Sequence, residues 1–477
     1  MHKWKLSAVG VLAIASTLAG CDDYLTGPGV SDDPNQPVSA TTNNLFHGIQ
    51  LSQFVQHTGD LARQTGMWMQ QFAGIGNQTT GRDQYTITEQ DLASWYNNIY
   101  TGGGLIDMRE VIRRSEAAGD RTYAGITRVW EGYLMGESAS LWGDLPYSEA
   151  VDTVRSPRLD DQAQVYKQAI ATLNQGIADL QSGTGAGPGN VDLVYGGDRP
   201  KWIQAANTLK ARFYLHWIEA QNYTGPAHNG MSAAQIQQLA QVVCEGNCAQ
   251  KARDAAQNGI SAAANNFRSF HSATAGSENL WYSFMFVRRA EQISAGKALV
   301  DLMKARNDPR LTQYFKAINP TDPSSPIVGS PPSGSPSSLL STTRGDPAFR
   351  QPMITYAENQ LILAEANYRL GAEGAALTHL NNARTAEGLT ATGGFSGAAL
   401  LREIMLEKYI TLFQNVEIWN DYKRTCIPEL KPAGTKTAII GRLLYSDTER
   451  ATNPNIPAPA AQPTRNDNDP APCPRPA

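Results

Sequence analysis

What most limits the folds open to this chain is a helical stripe. Tyr166, Ala169, Ile170, Leu173, Ile177 and Leu180 recur at the spacing of one face of an α-helix. Similar stripes run through Leu45, Ile49, Phe54 and Leu61, then Leu92, Trp95, Tyr96 and Ile99, then Tyr123, Ile126, Trp130, Tyr133, Leu134 and Leu141, and then Trp202, Ala205, Leu209 and Phe213. Ala357, Leu361, Ala364 and Tyr368 pair across Gly371 with Ala376, Leu380 and Ala383, and one last long helix is expected from Ala398 to Lys423. Each stripe must be buried against another, and small residues among the large ones let helices approach closely. The expected fold is therefore all-α: tetratricopeptide-like helix pairs, without a strict repeat consensus, stacked into an α-solenoid-like scaffold.

Proline, glycine and serine interrupt this pattern. Residues 318–352 contain Gly329-Ser330-Pro331-Pro332-Ser333-Gly334-Ser335-Pro336 and are expected to form a long irregular surface loop. Residues 21–42, with Asp32-Asp33-Pro34-Asn35-Gln36-Pro37 at their centre, read as a flexible tether, and residues 456–477 as a Pro-rich tail. A helical body over 43–455 lies between them. The formal charge is −4 over 477 residues, with no basic patch, which argues against a nucleic-acid partner.

The N-terminal segment carries an address. Lys3 and Lys5 precede an apolar run from Leu6 to Ala19 that ends in small residues, the layout of a secretory signal over residues 1–20. Its ending, Leu18-Ala19-Gly20-Cys21, resembles the lipobox of bacterial lipoproteins. That resemblance implies that the chain is cut before Cys21, which then carries the lipid. No other apolar run approaches the ~20 residues needed to span a bilayer, so lipid on Cys21 would be the membrane contact.

Cysteine arithmetic agrees. The chain has 5 Cys, and setting Cys21 aside leaves an even set: Cys244, Cys248, Cys426 and Cys473. In an oxidising compartment Cys244 with Cys248, and Cys426 with Cys473, are candidate disulfides. A metal site at the close pair is the rival, although no His or second Cys pair stands nearby in sequence.

Motifs for catalysis are missing. There is no G-x-x-x-x-G-K-[ST] loop, H-E-x-x-H helix or G-x-S-x-G elbow, and the seven His are scattered. No cofactor and no metal are implied. Two carboxylates suffice for glycoside hydrolysis, so an accessory glycosidase stays open as an alternative, with nothing singling out a pair.

Several segments are more specific. Trp142-Gly143-Asp144-Leu145-Pro146-Tyr147-Ser148-Glu149-Ala150 resembles the WGDxPYxEA segment of the SusD/RagB family of nutrient-binding outer-membrane lipoproteins. In the same order follow Ala206-Asn207 to Arg212-Phe213-Tyr214, Asn307-Asp308-Pro309-Arg310, and Tyr356-Ala357-Glu358 with Leu363-Ala364-Glu365-Ala366. Leu380 to Arg384 comes next, then Glu407-Lys408-Tyr409 leading to Trp419 to Arg424, and lastly Arg442-Leu443-Leu444-Tyr445 with Glu449 and Asn453. Ser446 departs from the family's usual Pro. These residues read as structural, with Asp144 at a turn and Asp421 meeting Arg424 on one long helix that also carries Glu407. The resemblance implies a non-enzymatic, surface-exposed receptor that passes oligosaccharides, or in some members peptides, to a SusC-like TonB-dependent transporter.

Sugar rings stack on aromatic faces, and their hydroxyls bind amides, carboxylates and guanidinium groups. Two stretches offer that mixture. The first supplies Trp68, Arg82, Asp83 and Tyr85, with Trp95 and Tyr96 just beyond; the second, Ser277 to Phe284, supplies Asn279, Trp281 and Tyr282. These nine residues are the expected ligand surface, and the competing reading is that their aromatic rings are core.

Overall fold

The computed structural model describes residues 40–319 and 321–473. The signal segment, Cys21, most of the tether and residues 474–477 lie outside that range. Thr41 opens the first helix, α1 (Thr42–Thr58), its side chain accepting from Asn44 N. After Gly59 come α2 (Asp60–Trp68), α3 (Asn77–Asp83), α4 (Glu89–Tyr100), α5 (Leu105–Ala117) and the long pair α6 (Arg121–Trp142) and α7 (Gln162–Ser182). Glycines let that pair close. A Cβ on Gly132 would lie 2.6 Å from Leu173, and one on Gly125 or Gly176 would lie 2.9–3.0 Å from the other's carbonyl oxygen.

The helices continue with α8 (Arg199–Leu215), α9 (Ile218–Gln221), α10 (Ala233–Cys244), α11 (Cys248–Ala256) and the single turn α12 (Leu280–Tyr282). Then come α13 (Lys297–Ala305), α14 (Leu311–Tyr314) and the pair α15 (Tyr356–Arg369) and α16 (Glu373–Ala386), which turns at Gly371. Last are α17 (Gly397–Thr411), α18 (Glu417–Thr425) and α19 (Asp447–Thr452). Helix packs on helix throughout, in tetratricopeptide-like pairs. The only strands among the described residues form two short antiparallel ladders: β1 (Phe72–Gly74) with β3 (Ile293–Ala295), and β2 (Phe267–Arg268) with β4 (Pro352–Ile354). No described helix is long and apolar enough to cross a membrane.

Three expectations need correction. The single helix over Ala398–Lys423 is two, α17 and α18, because Gln414 adopts φ +65° and its backbone N–H bonds the Gln71 side chain. Glu407 therefore sits on a different helix from Asp421 and Arg424. The described residues of 318–352 carry no helix, yet Ser330, Ser337, Ser338, Leu340 and Ser341 are buried, and Ser338 accepts from Ala295 N at the end of β3. The tail is packed as far as Cys473, with Asn466, Asn468 and Asp469 buried.

The motif residues meet in the core. Arg212 donates to Glu358 at 2.7 and 2.9 Å, His216 pairs with Glu417 at 2.7 Å, and His57 with Glu137 at 2.5 Å. Glu365 holds Arg424 at 2.5 Å, and Asp421 joins both Arg424 (2.5 Å) and Lys408 (2.8 Å). Buried charge is tolerated only where it is paired and hydrogen-bonded in this way. Trp142 donates to the Leu444 carbonyl at 2.9 Å, Asp144 accepts from Gln162 N at 2.8 Å, and Tyr445 Oη donates to the Asp144 carbonyl at 2.8 Å. Burial and the charge of Asp467 push the Asp144 carboxyl up to about 6. Ser446, where the family has Pro, caps α19 by accepting from Thr448 N and Glu449 N.

Both expected cysteine pairs are bonded: Cys244 to Cys248, spanning the turn between α10 and α11, and Cys426 to Cys473, which ties the tail to the end of α18. Thiolate ligation of a metal at these positions is thereby excluded.

Candidate functional site

The nine residues expected to bind ligand divide by burial. Trp68, Tyr96, Asn279 and Trp281 are fully enclosed, and Trp95 and Asp83 nearly so. Trp68 donates its indole N–H to the Arg82 carbonyl (3.0 Å) and lies 5.0 Å from Trp419, while Trp281 tilts against Phe72 at 4.6 Å. Tyr96 packs edge-on to Trp142 and Tyr445, both at 5.9 Å. A ring with no free face offers no platform, so these side chains are core, and Trp68, Trp95, Tyr96 and Trp281 are corrected accordingly. Asn279 is also structural. Its Oδ1 accepts from Trp281 N (2.9 Å) and Tyr282 N (3.3 Å), and its Nδ2 donates to the Phe349 carbonyl at 2.9 Å.

Asp83 serves as an internal acceptor. Its Oδ2 takes Gly74 N at 2.9 Å and Ser333 N at 2.8 Å, and burial pushes its carboxyl up to about 7. Tyr85, at φ +64°, accepts from Ala433 N at 3.1 Å, and burial pushes it up to about 12. Tyr85, Arg82 and Tyr282 remain partly open to solvent. Arg82 is held between Asp60 (3.1 Å) and Asp91 (3.6 Å).

Around Tyr282 lies a surface that residue choice from sequence missed. After α12 the chain makes a π-helical turn over Ser283–Arg288, a form often found at functional sites. The turn sends Met285 inward and leaves Tyr282, Phe284 and Phe286 half-buried, with Tyr282 and Phe286 6.0 Å apart and Val287 61% exposed. Cations brace the rings. The Arg63 guanidinium lies 4.4 Å from the Phe284 centroid and donates to the Leu280 carbonyl at 3.1 Å, which joins α2 to this ridge, and Lys316 Nζ lies 5.4 Å from Phe286. Phe270, 40% exposed, carries Arg350 at 5.7 Å. Beside Phe270, burial and Arg350 push His271 down to about 4, which keeps it uncharged near neutrality.

A sequence signal existed for the ridge. Trp281, Tyr282, Phe284, Met285, Phe286 and Val287 are too many large apolar groups in seven residues for one buried face, so some had to remain outside. The arrangement offers flat apolar faces flanked by guanidinium, ammonium and carboxylate groups, including Asp60. Among the described residues no group of three or more His, Cys, Asp or Glu could hold a metal ion.

Comparison with known proteins follows from this geometry. A SusD-like family profile described as "Starch-binding associating with outer membrane" matches residues 34–446. No curated protein matches the chain. Among solved structures, a SusD/RagB family protein from Bacteroides thetaiotaomicron is 20% identical with a TM-score of 0.70, covering 91% of this chain and 98% of its own. A chitin-binding SusD homolog from Flavobacterium johnsoniae is 18% identical with a TM-score of 0.68, covering 90% and 98%. A further chitin-binding protein is also 18% identical, with a TM-score of 0.72 and coverage of 90% and 100%. At that identity the structures speak for the fold, whereas the profile spans most of the sequence: the chain belongs to the SusD-like family.

Proposed function

We propose that this chain is a non-catalytic receptor that captures an oligosaccharide on the aromatic ridge of Tyr282, Phe284 and Phe286 and hands it to a SusC-like TonB-dependent transporter. The observation that carries the reading is the ridge itself: half-exposed rings fixed by a rigid turn and braced from behind by Arg63. Sugar C–H faces stack on such rings, and Arg82 with Asp60 stands ready for hydroxyls. Fixed rings lose little entropy on binding, as a docking platform requires. Lipid on Cys21 would hold the receptor at the outer membrane and raise its effective concentration beside the channel.

Calorimetric titration with maltooligosaccharides and chitooligosaccharides tests the reading. Replacing both Tyr282 and Phe286 by Ala should weaken binding roughly tenfold or more, at ~0.5–1.5 kcal/mol per ring, and leave the melting temperature nearly unchanged. Binding to peptides and to no glycan would favour a peptide receptor of the same family, and release of reducing ends would establish a glycosidase. Cys21→Ala should leave ligand binding intact and abolish membrane retention; a variant that still fractionates with the outer membrane when the transporter is absent would refute the anchor.

A further inference from the structure

Far along the chain from the ridge, two cavities flank the ion pair of Glu219 and Arg369. One, of about 460 Å³, lies between the loop Tyr223–Pro226 and the tail segment Asp469–Pro472. The other, of about 430 Å³, lies between α9, the start of α11 and the turn joining α15 to α16. Asn222 lines both, so the two adjoin at that residue. Each has the volume of a small-molecule site, and neither shares a residue with the ridge.

The walls are specific. Asp469, only 3% exposed, borders the first cavity, and neither of its carboxylate oxygens has a hydrogen-bond partner among the described residues, although Lys423 Nζ stands 3.3 Å away. Lys423 offsets the charge, but a buried carboxylate with a single ammonium beside it keeps most of its lone pairs unsatisfied, and an occupant that brings donors would relieve that cost. Across the junction Arg369 Nε, also without a hydrogen-bond partner among the described residues, asks for an acceptor. Asn222, Asn247 and Glu373 add planar polar groups to the second cavity, where Tyr368 presents a half-buried ring.

Charge selects the occupant. Glu219 is matched by Arg369, Asp469 by Lys423 and Arg424 by Glu365, so an anionic ligand would have to break a pair and would also meet the carboxylate of Glu373. A neutral molecule rich in hydroxyls can donate to Asp469 and Glu373 and accept from Arg369 with every pair left intact. We infer that the two cavities form one groove that binds a short neutral oligosaccharide, a second site independent of the aromatic ridge.

Calorimetry of the full chain with maltotetraose and with chitotetraose decides this. One of the two should bind with two sites per chain, or with one site that survives the paired Tyr282→Ala and Phe286→Ala changes. Asn222→Trp, at an exposed position, fills the junction and should remove or weaken that surviving event roughly tenfold, the worth of one hydrogen bond to a charged group. Should Asn222→Trp fail to fold, Glu373→Ala removes an acceptor from the same groove and should give the same loss. Binding confined to the groove would sustain this inference and sink the ridge; a single site abolished by the ridge changes would do the reverse. Wild-type affinity in both groove variants, or no binding of either tetrasaccharide, overturns the inference.

Discussion

Asp83 gives the most discriminating test of the fold around the ridge. Its carboxyl, ordinarily near 3.8, is pushed up to about 7 by burial, against the opposing pull of the N–H groups of Ser333 and Gly74. The folded chain thus holds this proton more tightly than the unfolded one. Stability from this group is therefore fully present below about pH 4 and lost as pH rises towards 7. At ~1.4 kcal/mol per unit, a shift of about three units amounts to ~4 kcal/mol, of which about 2.5 kcal/mol falls between pH 5 and pH 8. Asp83→Asn keeps an acceptor for Gly74 and Ser333 and has no charge to bury. Relative to wild type it should gain about 2.5 kcal/mol between pH 5 and pH 8, read as a difference of differences in urea unfolding. Asp144, also raised, is common to both chains and cancels. A double difference under about 0.5 kcal/mol, or one of opposite sign, refutes the reasoning.

Four further substitutions probe the scaffold. Gly136→Ala would put a Cβ 2.2 Å from the Phe213 ring and should cost about 2 kcal/mol net of the gain in helix propensity, whereas Gly48→Ala, with nothing within 4 Å, should stabilise by ~0.5–1 kcal/mol; equal effects on urea midpoints would contradict the packing. Cys473→Ser opens a loop of 47 residues and should cost about 4 kcal/mol by chain entropy, with a larger loss on reduction of the wild type, which opens the Cys244–Cys248 loop as well. Glu365→Gln leaves Arg424 and Lys408 sharing the Asp421 carboxylate in a buried cluster that has lost one negative charge, and should cost about 3 kcal/mol. In the wild type, Arg424 and Lys408 hold Glu365 well below the usual carboxylate range, so its contribution is present above about pH 4.5 and fades as acid is added; a stability difference between wild type and Glu365→Gln that is the same at pH 3 and pH 6 would contradict that.

The helices were legible because their stripes were long: Tyr166 to Leu180 falls inside α7 with its apolar face buried. The break at Gln414 was not, since no Gly or Pro marks it and the turn depends on Gln71, far away in sequence. The tail misled for a related reason. Its Asn and Asp side chains look like those of a solvated segment, yet Asn466 bonds the Ser140 carbonyl and Asn468 the His216 carbonyl, partners that composition cannot reveal. At the ridge, the polar run around Asn279 suggested an exposed Trp281. That run instead supplies a helix cap, and the second residue inside is the buried indole of Trp281. The right stretch was identifiable from its surplus of aromatic residues, but which rings face out was set by the π-helical turn.

The meeting of Trp142 with the Leu444 carbonyl joins residues 302 positions apart, and the tail beyond it supplies Asn466 to the same helix end. Contacts between such distant parts of a chain form late, because the intervening segment must be ordered first. During synthesis from the N-terminus, α6 would wait with that end uncovered until nearly the whole described length had emerged. Completion of the fold is thus timed by delivery of its last part. A product cut short before Arg442 would lack the closing segment and expose the end of α6, a defect that proteases can recognise.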